Sequence, residues 1–139
     1  MRKAFSLIEI MIVIIILGLL AGLVLPNLLG QSEQAKKKIV CIQMQSINDA
    51  LKNFKLQNGT YPSTEEGIKA LLENPDPEKY KSYPDGGFLD GKVPVDPWKN
   101  PYIYINNDGD IDMISLGADG KEGGTKENAD ISFKKSCQR

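Results

Sequence analysis

Residues 5–25, FSLIEIMIVIIILGLLAGLVL, form an apolar run broken by one ionisable side chain, Glu9. About 20 such residues span a bilayer as a helix, and a lone carboxylate at that depth costs a few kcal/mol. Gly18 and Gly22 lie inside the run and Pro26 ends it, which makes this stretch the weakest part of the helix. Beyond Pro26 the pattern changes. Val40, Met44, Ile47, Ala50, Leu51 and Phe54 recur at three- and four-residue steps, so residues 26–57 read as an amphipathic continuation stopped by Asn58-Gly59. Ser63-Thr64-Glu65-Glu66 has the form of a capping box and predicts a short helix, Thr64 to Glu73, that buries Ile68, Leu71 and Leu72. Residues 75–97 carry five prolines and three glycines with Tyr80, Tyr83 and Phe88 among them, an ordered loop instead of a linker. Tyr102–Ile105 and Ile111–Leu116 alternate as strands around the turn Asn106-Asn107-Asp108-Gly109. Tyr61-Pro62 and Trp98 are expected where helix, loop and sheet meet.

The fold class is therefore α+β, a long N-terminal helix on a small head at 58–139. The net charge of −1 hides an asymmetry: residues 1–38 hold five basic and two acidic side chains, residues 39–139 twelve and sixteen. No clustered basic face marks a nucleic-acid partner. The run Lys36-Lys37-Lys38 reads as a solvated or headgroup-facing helix surface. There is no histidine, which removes the commonest general base and zinc ligand. Cys41 and Cys137 make no CxxC; outside the cytoplasm they could form a disulfide, and two free thiols fit the sequence equally. Asp96 and Asp119 could be imagined as an acid dyad, but there is no nucleophile motif and no carboxylate pair placed on a scaffold, so no enzyme chemistry is expected.

The N-terminus is not an ordinary secretory signal, whose small-residue cleavage site follows the apolar core. Here Ala4 precedes the core, directly after Arg2-Lys3, and the positive-inside rule holds that end in the cytoplasm. Ala4-Phe5-Ser6-Leu7-Ile8-Glu9 resembles the type IV prepilin signal. The resemblance implies a leader at 1–4, cleavage by a prepilin peptidase between Ala4 and Phe5, and N-methylation of Phe5. Ala4 stands where the family more often has Gly. In a filament of packed helices the Phe5 amine of one subunit would neutralise Glu9 of the next, rewarding correct register. The resemblance also implies that the segment from Gly18 to Pro26 can stretch or melt on assembly.

Three head motifs narrow the family. Asn58-Gly59-Thr60-Tyr61-Pro62-Ser63-Thr64-Glu65-Glu66-Gly67, Asp96-Pro97-Trp98-Lys99-Asn100-Pro101-Tyr102 and Ser115-Leu116-Gly117-Ala118-Asp119-Gly120 resemble the major pseudopilin, the G subunit, of type II secretion systems. The likeness runs from Phe5 to about Ile131. Lys99 replaces the family's usual Gly, and a surface turn of little functional consequence is expected there. The resemblance implies a single-pass inner-membrane precursor with a periplasmic head, polymerised into a periplasmic pseudopilus. Implied partners are copies of itself, minor pseudopilins, and an inner-membrane platform with its ATPase. The outer-membrane secretin and the secreted proteins would be reached indirectly. The alternative is a type IV pilin or competence pseudopilin for adhesion or DNA uptake.

Residues 106–130 hold seven acidic and two basic side chains. The family binds calcium in the loop at 116–131, and by motif the resemblance implies the Leu116 carbonyl, Asp119 and Asp130 as ligands, with Asn128 and Glu127 as weaker candidates. An acidic solvated loop without metal is the alternative. Asp108-Gly109-Asp110-Ile111-Asp112 looks superficially like an EF-hand. Counted from Asn106, however, the twelfth position is Gly117 and not Glu, so that reading fails. The C-terminal Lys134-Lys135-Ser136-Cys137-Gln138-Arg139 reads as a flexible basic tail unless Cys137 is bonded.

Overall fold

The structure, a computed structural model, describes residues 4–138; between 24 and 31 it describes the helical backbone and not the side chains. The chain divides after Ala35 into two compact units. One helix, α1 (Leu7–Asn58), contributes to both.

In the first unit every large apolar side chain described from Leu7 to Leu23 is exposed. A helix apolar all round is stable only when something covers it. Among the described residues no helix is long and apolar enough to cross a membrane. The expected span at 5–25 runs into residues whose side chains lie outside the description, as does Pro26. Gly18 and Gly22 face open space.

In the second unit α1 buries one stripe. Val40, Met44, Ile47, Leu51 and Phe54 are fully enclosed and Ala50 nearly so, as the three- and four-residue spacing requires. Gly59 ends the helix: its φ of 82° lets its N–H return to the Lys55 carbonyl at 2.7 Å. Phe54 then organises the loop at 75–97. Tyr80 meets its ring edge-on at 4.9 Å, Phe88 lies at 5.3 Å and Tyr83 at 6.3 Å. The Phe88 N–H donates to the Leu71 carbonyl at 2.7 Å, an approach only glycine permits at Gly87 (φ 71°), where a Cβ would lie 2.8 Å from that oxygen.

The expected helix from Thr64 to Glu73 is not there. Its capping box forms, with the Ser63 N–H donating to Glu66 at 2.9 Å and the Glu66 N–H to the Ser63 hydroxyl at 3.1 Å. Gly67 then takes φ 65° and ψ −167°, which ends propagation after one turn. Only a 3-10 turn follows, Ile68–Leu71. It buries Ile68, Ala70 and Leu71 and leaves Leu72 half-buried.

The sheet has three antiparallel strands in the order β1 (Ile103–Asn107), β2 (Asp110–Ser115) and β3 (Ile131–Ser132). Asn107 pairs with Asp110, so Asp108 (φ 52°) and Gly109 (φ 92°) make a two-residue turn with both centres left-handed, the twist hairpins favour. The Thr64 hydroxyl donates to the Asn106 carbonyl at 3.2 Å and accepts from its N–H at 2.9 Å, which seals part of the outer edge of β1. Tyr104 is buried and donates to the Pro62 carbonyl at 2.8 Å. The third strand was not anticipated; Ile131 pairs with Ser115 and Ser132 with Ile114.

The C-terminal segment is not a free tail. Phe133–Cys137 forms a π-helical turn with Phe133 buried, and Cys137 is bonded to Cys41. The disulfide closes a separation of 96 residues, which in the chain-entropy view removes about 4–5 kcal/mol of freedom from the unfolded state.

Glu66 gives the head a pH signature. Burial opposes its ionisation, but the Ser63 N–H, the Tyr80 hydroxyl (2.8 Å), the Ser63 hydroxyl and Lys79 (3.4 Å) together hold its carboxyl below the ordinary 4.5. A lowered folded-state pKa contributes stability above the unfolded-state value, lost as pH falls through the folded one. Glu66→Gln should therefore flatten the loss of stability below about pH 4.5, measured by urea unfolding across the acid range.

Candidate functional site

The N-terminal site begins with Ser6 and Glu9. The Glu9 carboxylate accepts from the Ser6 N–H at 2.8 Å and its hydroxyl at 3.3 Å, and the Glu9 N–H donates back to the Ser6 hydroxyl at 3.4 Å. This is a reciprocal capping box at the start of α1. Within one chain Glu9 therefore caps its own helix end. The same Ser-x-x-Glu spacing that flagged Ser63–Glu66 was present at Ser6–Glu9 and could have revealed it. Phe5 is 80% exposed, beside a helix with no cover.

The head site grows from Asp96, which is buried at 2% exposure. One carboxylate oxygen accepts from the Asn100 N–H at 2.7 Å and the Trp98 N–H at 3.1 Å, folding the Asp-Pro-Trp-Lys-Asn segment into a closed turn. The other accepts from the Ser115 hydroxyl at 2.8 Å, and that hydroxyl accepts from the Gly117 N–H at 3.3 Å. The Asn100 amide donates to the Gly117 carbonyl at 3.3 Å. The second and third head motifs are thus one buried polar network, every partner of which the sequence shows only as separate strings. Asp96 is an acceptor at a turn and has no pairing with Asp119. Beside it, Tyr102 donates to Gln43 of α1, and burial pushes its phenol far above the usual range.

The loop at 116–131 is the connection from β2 to β3, its ends held by the Ser115–Ile131 pair. Its halves meet where the Ala118 N–H donates to the Glu127 carbonyl at 2.9 Å. A Cβ on Gly117 would lie 2.8 Å from the Ala129 carbonyl oxygen and 2.9 Å from that of Glu127, and one on Gly124 would lie 2.5 Å from that of Asn128. Backbone carbonyls therefore fill the room that side chains would need. Asp119 accepts from the Lys121 N–H at 3.1 Å, and Asp130 from the Gly123 N–H at 3.0 Å, each through one oxygen. Glu127 and Asn128 lie in a 3-10 turn, Lys126–Asn128, with the Glu127 side chain exposed. Among the described residues no three acids, cysteines or histidines gather into a metal cluster. The residues named for a cation, Asp119, Asp130 and the Leu116 carbonyl, offer an all-oxygen donor set that suits calcium in kind.

A first helical stretch apolar on all sides, a second with one buried stripe, and a small antiparallel head define a pilin-like filament subunit. Residues 1–25 match the prokaryotic N-terminal methylation motif, and residues 27–134 match the family described as type II secretion system protein G. The type II secretion system core protein G of Pseudomonas aeruginosa is 46% identical over 134 residues, 94% of this chain and 93% of that protein. That of Vibrio cholerae is 42% identical over 135 residues, 94% of this chain and 92% of that protein. The crystal structure of the major pseudopilin of enterohaemorrhagic Escherichia coli superposes with a TM-score of 0.65 at 31% identity, covering 77% of this chain and 93% of that one. The chain belongs to the type II secretion system protein G family and is a structural subunit of the pseudopilus.

Lys99 now has a physical account. Its φ of 67° is left-handed, inside the Asp96 turn, where a non-glycine residue costs about 1–2 kcal/mol. Lys99→Gly should raise stability by about 1 kcal/mol, less the entropy glycine returns to the unfolded chain, with no change in filament formation; thermal unfolding and electron microscopy check both halves.

Proposed function

We propose that the chain enters the inner membrane as a precursor, is cut by a prepilin peptidase between Ala4 and Phe5, and is methylated on the Phe5 amine. Copies are then drawn by a membrane platform and its ATPase, with minor pseudopilins as partners, into a periplasmic pseudopilus that pushes folded proteins through the secretin. The chain does mechanical and not chemical work. The observation that carries this reading is the wholly exposed apolar surface from Leu7 to Leu23 with a carboxylate at its start. Lipid covers that surface before assembly and neighbouring helices after it. The assembly residues are Phe5 and Glu9, with Gly18 and Pro26 marking the segment that yields. In the free subunit Glu9 is held by Ser6; in the filament the Phe5 amine of a neighbour supplies the opposite charge that register requires. The strength of the family matches favours secretion over the adhesion or DNA-uptake reading.

Calcium would be held by Asp119, Asp130 and the Leu116 carbonyl, with Asn128 and Glu127 at the margin. It would supply charge neutralisation and a fixed closure of the β2–β3 connection. The packing of carbonyls against Gly117 and Gly124 supports the reading.

Two outcomes are expected. Glu9→Ala should leave membrane insertion and cleavage intact and abolish filaments, scored by membrane fractionation and electron microscopy; normal filaments would refute the pairing. EGTA should lower the melting temperature of the chain relative to 10 mM calcium. A site with a dissociation constant of about 0.1–1 mM is worth about 1.4–2.7 kcal/mol there, a shift on the order of 5–15 °C. An unchanged melting temperature would remove calcium from the account.

A further inference from the structure

Neither cysteine takes part in processing, in assembly or in the loop at 116–131. Cys41 follows Val40, the first residue of the buried stripe, and Cys137 ends the π-helical turn. Their Cα atoms lie 5.4 Å apart across 96 residues, inside the range of about 4.4–6.8 Å that disulfides occupy. The approach has causes other than the bond itself. Ile131 and Phe133 are buried, and β3 is laddered to β2. Asp112 is the hub: one oxygen accepts from the Ser132 hydroxyl at 2.6 Å, the other from the Lys134 N–H at 3.1 Å, while the Lys134 ammonium pairs with Asp110 at 2.5 Å. Two of the acids that imitate an EF-hand in the sequence, Asp110 and Asp112, are thus the anchors of the C-terminal segment. Both cysteines are half-buried, within reach of an exchange partner.

We propose that the head is a substrate of a thiol–disulfide oxidase, and that Asp112 is the positioning residue that docks the C-terminal segment so that Cys41 and Cys137 close only on a folded head. The proposal rests on the periplasmic placement of the head. One cysteine thiolate attacks the oxidase disulfide, giving a mixed disulfide and one oxidase thiol. The second cysteine thiolate attacks the mixed disulfide at this chain's sulfur, forming the Cys41–Cys137 bond and releasing the second oxidase thiol. The head loses two electrons and two protons, and the oxidase disulfide becomes a dithiol. Docking makes the second step local, where an open chain must close a loop of nearly a hundred residues.

The test uses the full chain, reduced, in detergent micelles, with oxidised glutathione as the probe and alkylation with mass detection to count thiols. Closure should be at least about tenfold faster in buffer than in urea, after correction for the probe's own rate. Asp112→Ala should slow closure several-fold, Asp112→Asn should restore most of it, and Asp108→Ala at the hairpin tip should change nothing. A chain carrying Cys41→Ser and Cys137→Ser should keep amide-exchange protection at residues 131–137, showing that docking precedes the bond. Equal rates in buffer and urea, an unslowed Asp112→Ala or an unprotected segment in the serine variant would overturn the positioning role. Free thiols at both cysteines in the chain isolated from oxidase-competent cells would overturn the proposal as a whole. Filaments that still form with both thiols free would leave the secretion reading standing.

Discussion

The apolar stripe of α1 from Val40 to Phe54 is the constraint on which the head depends. The sheet is small, and a three-stranded sheet with a two-residue third strand cannot enclose a core by itself. The helix supplies the other wall. Phe54 gathers Tyr80, Tyr83 and Phe88 and so turns a proline-rich loop into a packed layer, while Met113, Ile131 and Phe133 bring the sheet and the C-terminal segment into the same core. The helix that must be covered in the filament is thus also the helix that the head cannot fold without.

Polar contacts fix what the apolar core leaves undetermined. Asp96 is buried but fully engaged, through backbone N–H groups on one oxygen and Ser115 on the other. A buried carboxylate with those partners specifies a single arrangement, because any alternative strands a charge away from water. Through Ser115, Gly117 and Asn100 the network sets where the β2–β3 connection starts, and the Ser115–Ile131 pair sets where it ends. The acidic loop hangs between two fixed points.

Much of this was legible in the chain itself. The spacing of Val40 to Phe54 predicted the buried face, and Asn106 to Gly109 predicted the hairpin, because both signals are periodic or local. The prepilin-like order Ala4 to Glu9 pointed to the N-terminal methylation motif that residues 1–25 match. What escaped was short or long-range. The third strand has two residues and no pattern of its own. The helix expected after Ser63 stops at Gly67, whose left-handed φ ends propagation. The C-terminal segment read as a basic tail because its anchors, Asp110 and Asp112, lie more than 20 residues away and resembled a metal motif. The capping role of Glu9 was hidden by the question its charge raised in an apolar run.

We expect the N-terminal helix that is uncovered in one chain to be covered in the filament by copies of itself, in a register set by charge. High-resolution electron microscopy of filaments from cells overproducing the chain tests it most directly. The expected images show a mature N-terminus at Phe5, heads arrayed outside a core of packed helices, and each Glu9 carboxylate within about 4 Å of a neighbour's Phe5 amine. Filaments that retain residues 1–4, or whose Glu9 carboxylates stay bonded to Ser6 with no neighbouring amine, would contradict it.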